Sequence, residues 1–266
     1  MKALLKRRFP SSYVALKNLA GSLYLEEINE LVFRQVAGAV AAGPFAGMRY
    51  VRRARGSQLA PKLLGTYEKE LHAILEEVLK VPYERVLDIG CAEGYYAVGL
   101  ALRLPQAVVN AYDIDPEALG LLDELAQLNG VQDRIVPGRL CDHSELNRYR
   151  SDRCLVVCDI EGGEYDLLRP DLADSLLGYD ILVEVHDGPS ASRIRDALEA
   201  RFQASHEITF VKYAGRTAND ATSVSSLARR KSRLLAVDEM RTYGIEWGLF
   251  KARGKSRPAH ETTSRD

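Results

Sequence analysis

Val86-Leu87-Asp88-Ile89-Gly90-Cys91-Ala92-Glu93-Gly94-Tyr95-Tyr96 decides how this chain is read. Val86, Leu87 and Ile89 are the apolar residues of a buried strand, and Gly90 and Gly94 bracket a tight turn. Ala97, Val98, Leu100 and Ala101 then continue at helical spacing. A strand, a glycine turn and a helix in that order form a cradle for a nucleotide-type ligand at the edge of a parallel sheet. The glycines let the backbone approach where a Cβ would collide. The spacing is Asp-x-Gly-x-x-x-Gly, not the Gly-x-Gly-x-x-Gly that seats a pyrophosphate on a helix N-terminus. An acid just ahead of the first glycine suits a ligand carrying an ammonium or sulfonium group and no phosphate.

Outward from this turn, strand and helix signals alternate. Residues 66–80 predict a helix that feeds the central strand. Downstream, strands are expected at 107–112, 135–140, 154–158, 181–185, 208–213 and 244–251, with helices at 116–128 and 192–202 between them. Such repeated units predict an α/β fold, a doubly wound, seven-stranded, mostly parallel sheet over residues 61–252. Ahead of it, residues 1–60 read as an N-terminal helical extension, with two helical segments across 11–42. Ala42-Gly43-Pro44-Phe45-Ala46-Gly47 closes the second, and a short strand is expected at 48–51. Residues 221–240 read as a helical insert over the ligand end. Residues 253–266 read as a disordered tail.

Composition narrows the function classes. Lys plus Arg number 36 against 37 for Asp plus Glu, so no bulk charge recruits nucleic acid or anionic lipid. No apolar run approaches the roughly 20 residues that span a bilayer. The basic start is not followed by the apolar core of a signal peptide. Cys91, Cys141, Cys154 and Cys158 make no Cys-x-x-Cys pair, and read as reduced thiols of a cytoplasmic protein.

The glycine turn resembles the first motif of the class I S-adenosylmethionine-dependent methyltransferases. The resemblance implies that Asp88, Gly90, Cys91, Ala92, Glu93, Gly94 and Tyr95 surround the amino-acid half of that cofactor, with Asp88 facing its ammonium. Asp113 follows Gly90 by 23 residues, the spacing of an acid that accepts from two ribose hydroxyls. Ile114 lies beside it, and Asp115 is the expected cap of the helix opened by Pro116. Cys141 and Asp142, after the third strand, fit the adenine end, although Asp142 equally suits an Asx turn.

After the fourth strand comes Asp159-Ile160-Glu161-Gly162-Gly163-Glu164-Tyr165-Asp166-Leu167-Leu168, and the fifth ends Glu184-Val185-His186-Asp187. With Thr66 to Leu71 and Trp247, these runs are similar to the FkbM-type methyltransferases, which implies O-methylation of a hydroxyl on a sugar, glycan or secondary metabolite. The family more often has alanine and asparagine where this chain has Cys91-Ala92-Glu93, and Glu93 is expected to leave the pocket more acidic.

A hydroxyl is a poor nucleophile until its proton is removed or a metal acidifies it. Two mechanisms follow. His186 is the general base, oriented by Glu184 or Asp159; or Asp159 and Glu184 hold a divalent ion such as Mg²⁺. Glu161 belongs to the same cluster, whereas Glu164 reads as a helix cap. Arg52, Arg53 and Arg55 read as a solvated loop or as an arm for an anionic acceptor. Three other readings stand beside this one. An N-methyltransferase on nucleic acid bases would carry an Asn/Asp-Pro-Pro-aromatic turn where this chain has Asp159-Ile160-Glu161-Gly162. A dehydrogenase needs the missing Gly-x-Gly-x-x-Gly. A catalytically silent binding domain would not need Asp159, Glu161, Glu184 and His186 together.

Overall fold

A computed structural model describes residues 10–150, 152–186, 192–221, 227, 229–241 and 246–253. Asp187, the tail beyond residue 253 and most of residues 222–228 lie outside the described residues. The helices are α1 (Pro10–Gln35), α2 (Leu59–Leu64), α3 (His72–Val78), α4 (Tyr95–Arg103), α5 (Pro116–Leu128), α6 (His143–Arg148), α7 (Glu164–Leu167), α8 (Ser192–Phe202) and α9 (Arg230–Val237). The strands are β1 (Arg85–Ile89), β2 (Val108–Tyr112), β3 (Ile135–Gly138), β4 (Cys154–Cys158), β5 (Asp180–Val185), β6 (His206–Lys212) and β7 (Glu246–Ala252).

The sheet runs β3-β2-β1-β4-β5-β7-β6. The first five strands are parallel, and β7 is antiparallel to both its neighbours. Every residue of β4 is buried, as a central strand covered on both faces requires. Strand order reverses between β1 and β4, and this switch point is where open α/β sheets leave a crevice beyond the strands' carboxyl ends. Ile89 pairs with both Tyr112 and Cys158, so Gly90, Asp113 and Asp159 leave the sheet at one level.

Among the described residues no helix is long and apolar enough to cross a membrane. One hydrophobic cluster joins Ile28, Val32, Phe45 and Tyr50 of the N-terminal extension to Val86, Ala97 and Val157 of the sheet layer. Burying such side chains stabilises by about 1.5–3 kcal/mol each, which ties the extension to the sheet.

Four expectations change. The two N-terminal segments are one helix, α1. Residues 48–51 form only an isolated bridge, Ala39 to Arg49. The helix expected from Thr66 begins at His72, because Glu68 takes a left-handed conformation (φ 46°) that turns its carboxylate into the core. The insert contributes α9, which packs on α1 and α2 and not over the ligand end; Tyr24 and Ser232 share a 2.7 Å hydrogen bond there.

Candidate active site

A cavity of about 650 Å³ opens beyond the carboxyl ends of β1, β2 and β4. The turn after β1 makes its floor. Gly90 has φ 82°, and a Cβ there would lie 1.7 Å from the carbonyl oxygen of Asp159. The neighbouring strand end therefore passes against bare backbone. Gly94 starts α4 at φ 97°, where a Cβ would strike Leu122.

Asp88, Gly90, Cys91, Ala92 and Tyr95 line the cavity. Asp88 is 2% exposed and its Oδ2 has no hydrogen-bond partner. Burial, aided by the charge of Asp159, raises its pKa to about 8. An orphaned acid in a cavity wall fits a cationic group on a ligand. Asp113 also lines the cavity; its Oδ2 accepts from Ala92 N at 2.9 Å and its Oδ1 from Asp115 N at 2.8 Å. It thereby holds the glycine turn against β2 while each oxygen keeps a lone pair for hydroxyls. Asp115 caps α5 by accepting from Glu117 N, as expected.

At the far end, Cys141 and Asp142 line the cavity with the exposed side chains of Ile114 and Leu140. Two apolar groups standing free of the core bound a slot suited to a flat ring. Asp142 makes the Asx turn: its Oδ1 accepts from Glu145 N at 2.9 Å and Ser144 Oγ at 2.7 Å.

Glu93 and Gly94 do not line the cavity. Glu93 is fully buried, and instead of acidifying the pocket it fastens the extension. Its Oε1 accepts from Tyr50 at 2.6 Å and from Lys62 at 2.5 Å, and its Oε2 from Arg55 N at 3.0 Å. Burial opposes its charge, but Lys62, Tyr50 and the Arg55 N–H together outweigh burial and lower its pKa. Arg52 and Arg55 are likewise engaged. Arg52 pairs with Glu30 and lies over Phe33, and Arg55 pairs with Asp115.

Asp159 and Glu161 line the cavity on the side of β4; Glu184 and His186 stand behind them. His186 Nε2 lies 3.4 Å from Asp159, 3.6 Å from Glu161 and 3.9 Å from Glu184. Its Nδ1 lies 3.0 Å from Glu164 Oε1. The residue that orients the ring is thus Glu164 and not Glu184 or Asp159. Glu164 is not the helix cap expected from sequence, since Gly163 holds the N-cap position of α7; it is fully buried and also accepts from Ile160 N at 2.9 Å. Burial opposes a charged His186, but Glu164, Asp159 and Glu161 outweigh it and raise its pKa.

Glu184 has another partner. It is bound by Arg241, which also holds Glu68 and, at 3.0 Å, Glu239. Arg216 extends this buried chain, 2.6 Å from Glu239 and 2.7 Å from Glu70. Nothing local in sequence marks Arg241, whose partners Glu184 and Glu68 lie 57 and 173 residues away. One ligand atom each from Asp159, Glu184 and His186 lies within 4.8 Å of the others, a spacing that could hold an ion. The set does not fit Mg²⁺. That ion demands oxygen ligands, whereas here one donor is an imidazole and a guanidinium already neutralises Glu184.

The family model of the methyltransferase small domain matches residues 71–151. A release factor glutamine methyltransferase of Deinococcus radiodurans is 47% identical over 70 residues, 26% of this chain and 25% of that protein. One of Chlorobaculum tepidum is 36% identical over 83 residues, 31% of this chain and 25% of that protein. The matches thus span about a quarter of the length of these curated relatives. Among solved structures, a putative O-methyltransferase from Klebsiella pneumoniae is similar over 94% of this chain and 95% of that one, with TM-score 0.45 and 14% identity.

Proposed function

We propose that this protein is an S-adenosylmethionine-dependent methyltransferase whose acceptor is a hydroxyl of a sugar, glycan or secondary metabolite. The observation that carries the reading is one cavity with two unlike ends. Orphaned Asp88 of β1 and ribose-spaced Asp113 after β2 line one end, Asp159 and Glu161 after β4 line the other, and His186 after β5 lies 3.4 and 3.6 Å from those two acids. The family match at residues 71–151 supports the cofactor half. It stops before Asp159, so the acceptor half rests on the run from Asp159 to Leu168 and its likeness to FkbM-type enzymes. The near-neutral charge balance favours a small acceptor over a polyanion.

Bound S-adenosylmethionine would supply a methyl group on sulfonium, which the acceptor oxygen would take in line as the neutral thioether, S-adenosylhomocysteine, leaves. Asp88 would hold the cofactor's ammonium, Asp113 its ribose hydroxyls, and the slot between Ile114 and Leu140 its base. Asp159 and Glu161 would orient the acceptor hydroxyl, and positioning of this kind supplies much of the rate. His186 Nε2 takes the hydroxyl proton, with Nδ1 held by Glu164. The His186 side chain is 17% exposed, and its Nε2 lies within 3.6 Å of both Asp159 and Glu161.

Calorimetric titration of S-adenosylmethionine into the protein tests the cofactor half, and binding that Asp113→Ala abolishes is expected. No binding by folded protein refutes the reading. Turnover of a panel of hydroxylated acceptors, lost in His186→Ala while cofactor binding persists, tests the acceptor half. Methylation of a protein amide instead would replace it.

A further inference from the structure

Lys62 is the other buried charge in the cavity wall, and the glycine turn does not supply it. It sits on α2, the helix that joins the N-terminal extension to the sheet domain, outside the segment that matches the methyltransferase small domain. Its side chain is 3% exposed, yet it lines the cavity beside Asp88 and Tyr95. Glu93 accounts for one of the three donors of its ammonium. The charge lies over the rings of Tyr67 and Tyr95, 5.0 and 5.5 Å from their centres. These faces attract the cation but accept no conventional hydrogen bond.

Burying an ammonium with donors unspent is costly unless a further acceptor arrives. Asp88, in the same wall, has the complementary lack: Oδ2 is buried without a donor. Burial raises the Asp88 carboxyl, and the Lys62 charge works against that rise, so the two groups feel each other. A buried acid short of a donor and a buried ammonium short of an acceptor together describe a receptor for a zwitterion.

We infer that Lys62 binds the carboxylate of an α-amino-acid group whose ammonium is held by Asp88, so that α2, at the junction with the N-terminal extension, completes the cofactor site. The inference rests on the cofactor reading above and adds the residue that recognises the carboxylate. Lys62 would then serve two carboxylates at once, that of Glu93 and that of the ligand. Because Glu93 also holds Tyr50 and the Arg55 backbone, occupancy of this subsite is coupled to seating of the extension.

The test compares two ligands differing only in the carboxylate: S-adenosylhomocysteine and its decarboxylated analogue, S-adenosyl-3-thiopropylamine. Each is titrated calorimetrically into the wild-type protein and into Lys62→Met. A second variant, Lys62→Met with Glu93→Gln, avoids stranding a buried carboxylate and keeps the test valid should the single change unfold the chain. The wild-type protein is expected to prefer S-adenosylhomocysteine by about tenfold or more, the scale of a charge-assisted hydrogen bond. A folded variant is expected to bind both ligands within about twofold of each other. Undiminished preference in a folded variant overturns the role of Lys62 and leaves the cofactor reading intact. Failure of both ligands to bind wild-type protein overturns both.

Discussion

Glu164 Oε1 lies 3.0 Å from His186 Nδ1, and this contact leaves Nε2 turned towards Asp159 and Glu161, the acids that line the cavity. Glu164 comes from the turn after β4 and His186 from the end of β5, so the pair spans two adjacent parallel strands. With Nδ1 held, Nε2 is the nitrogen left for chemistry.

The contact makes the protonation of His186 testable. Burial alone would lower its pKa, and Glu164, Asp159 and Glu161 together raise it above 6.5. Glu164→Gln keeps the shape and removes the charge, so the His186 midpoint should move to lower pH. The acid limb of turnover should move with it, since only the neutral ring accepts a proton. Stability follows the same sign. The charged ring stabilises the fold fully below pH 6.5, and that contribution fades as pH rises through the raised folded value. NMR titration of the imidazole reads the shift directly; an unchanged midpoint would show that Glu164 does not set the charge of the ring.

Asp88 gives the opposite linkage. Its carboxyl is held at about 8 against an ordinary 3.8, so the unfolded chain gives up this proton first. Stability of the ligand-free protein should therefore decline as pH rises from about 4 to 8. Asp88→Asn should flatten that decline and leave the variant more stable than wild type at pH 8. Urea titrations at several pH values check this. An ammonium-bearing ligand should bind wild-type protein with release of a proton near neutral pH, seen as buffer-dependent heat in calorimetry.

Two glycines should respond with opposite signs. Gly90→Ala forces a Cβ to within 1.7 Å of the Asp159 carbonyl at φ 82°, so the turn or β4 must shift. Loss of soluble, folded protein is expected. Gly120 lies within α5 and faces open space, where alanine should stabilise by about 0.5–1 kcal/mol through helix propensity. Circular dichroism on both variants distinguishes a crowded glycine from a dispensable one.

The parallel strands and the glycine-turn end of the cavity were legible because their signals are local. Val86 to Gly94 is one continuous motif, Asp113 sits at a fixed spacing from it, and Asp115-Pro116 announces its own helix. The α/β architecture follows from the same alternation. The end of the cavity beyond β4 was legible as a set of strand-end residues, and Asp159, Glu161, Glu184 and His186 do converge there. Their pairing was not legible. Glu164 resembled any acid at a helix start, and only the positions of β4 and β5 bring it to His186. Glu93 looked like a pocket acid because its partners, Tyr50, Arg55 and Lys62, lie 43, 38 and 31 residues upstream. The helix expected from Thr66 failed for a similar reason. Glu68 leaves helical geometry to reach Tyr96 and Arg241, and the long-range ion pair overrides local propensity.

Arg241 is where such long-range pairing should cost most to disturb. The guanidinium is 9% exposed and holds Glu68, Glu184 and Glu239, each 3% exposed or less. Arg241→Met leaves these carboxylates buried without it, and losing one partner of a buried pair costs about 3–5 kcal/mol. Arg241→Lys should rescue only part of this, since a single ammonium cannot reproduce the guanidinium fork across three acids. The deficit should depend on pH. Burial already raises the Glu68 carboxyl to about 7 with Arg241 in place, and removing the arginine raises it further. In the variant, Glu68 therefore opposes folding increasingly as pH climbs from about 4.5 towards that higher value. Denaturant unfolding of wild type and Arg241→Met at pH 5 and pH 8 should show the larger gap at pH 8. Equal gaps at the two pH values would mean that Arg241 acts by packing against Tyr67 and Tyr213 and not as the counter-charge of these acids.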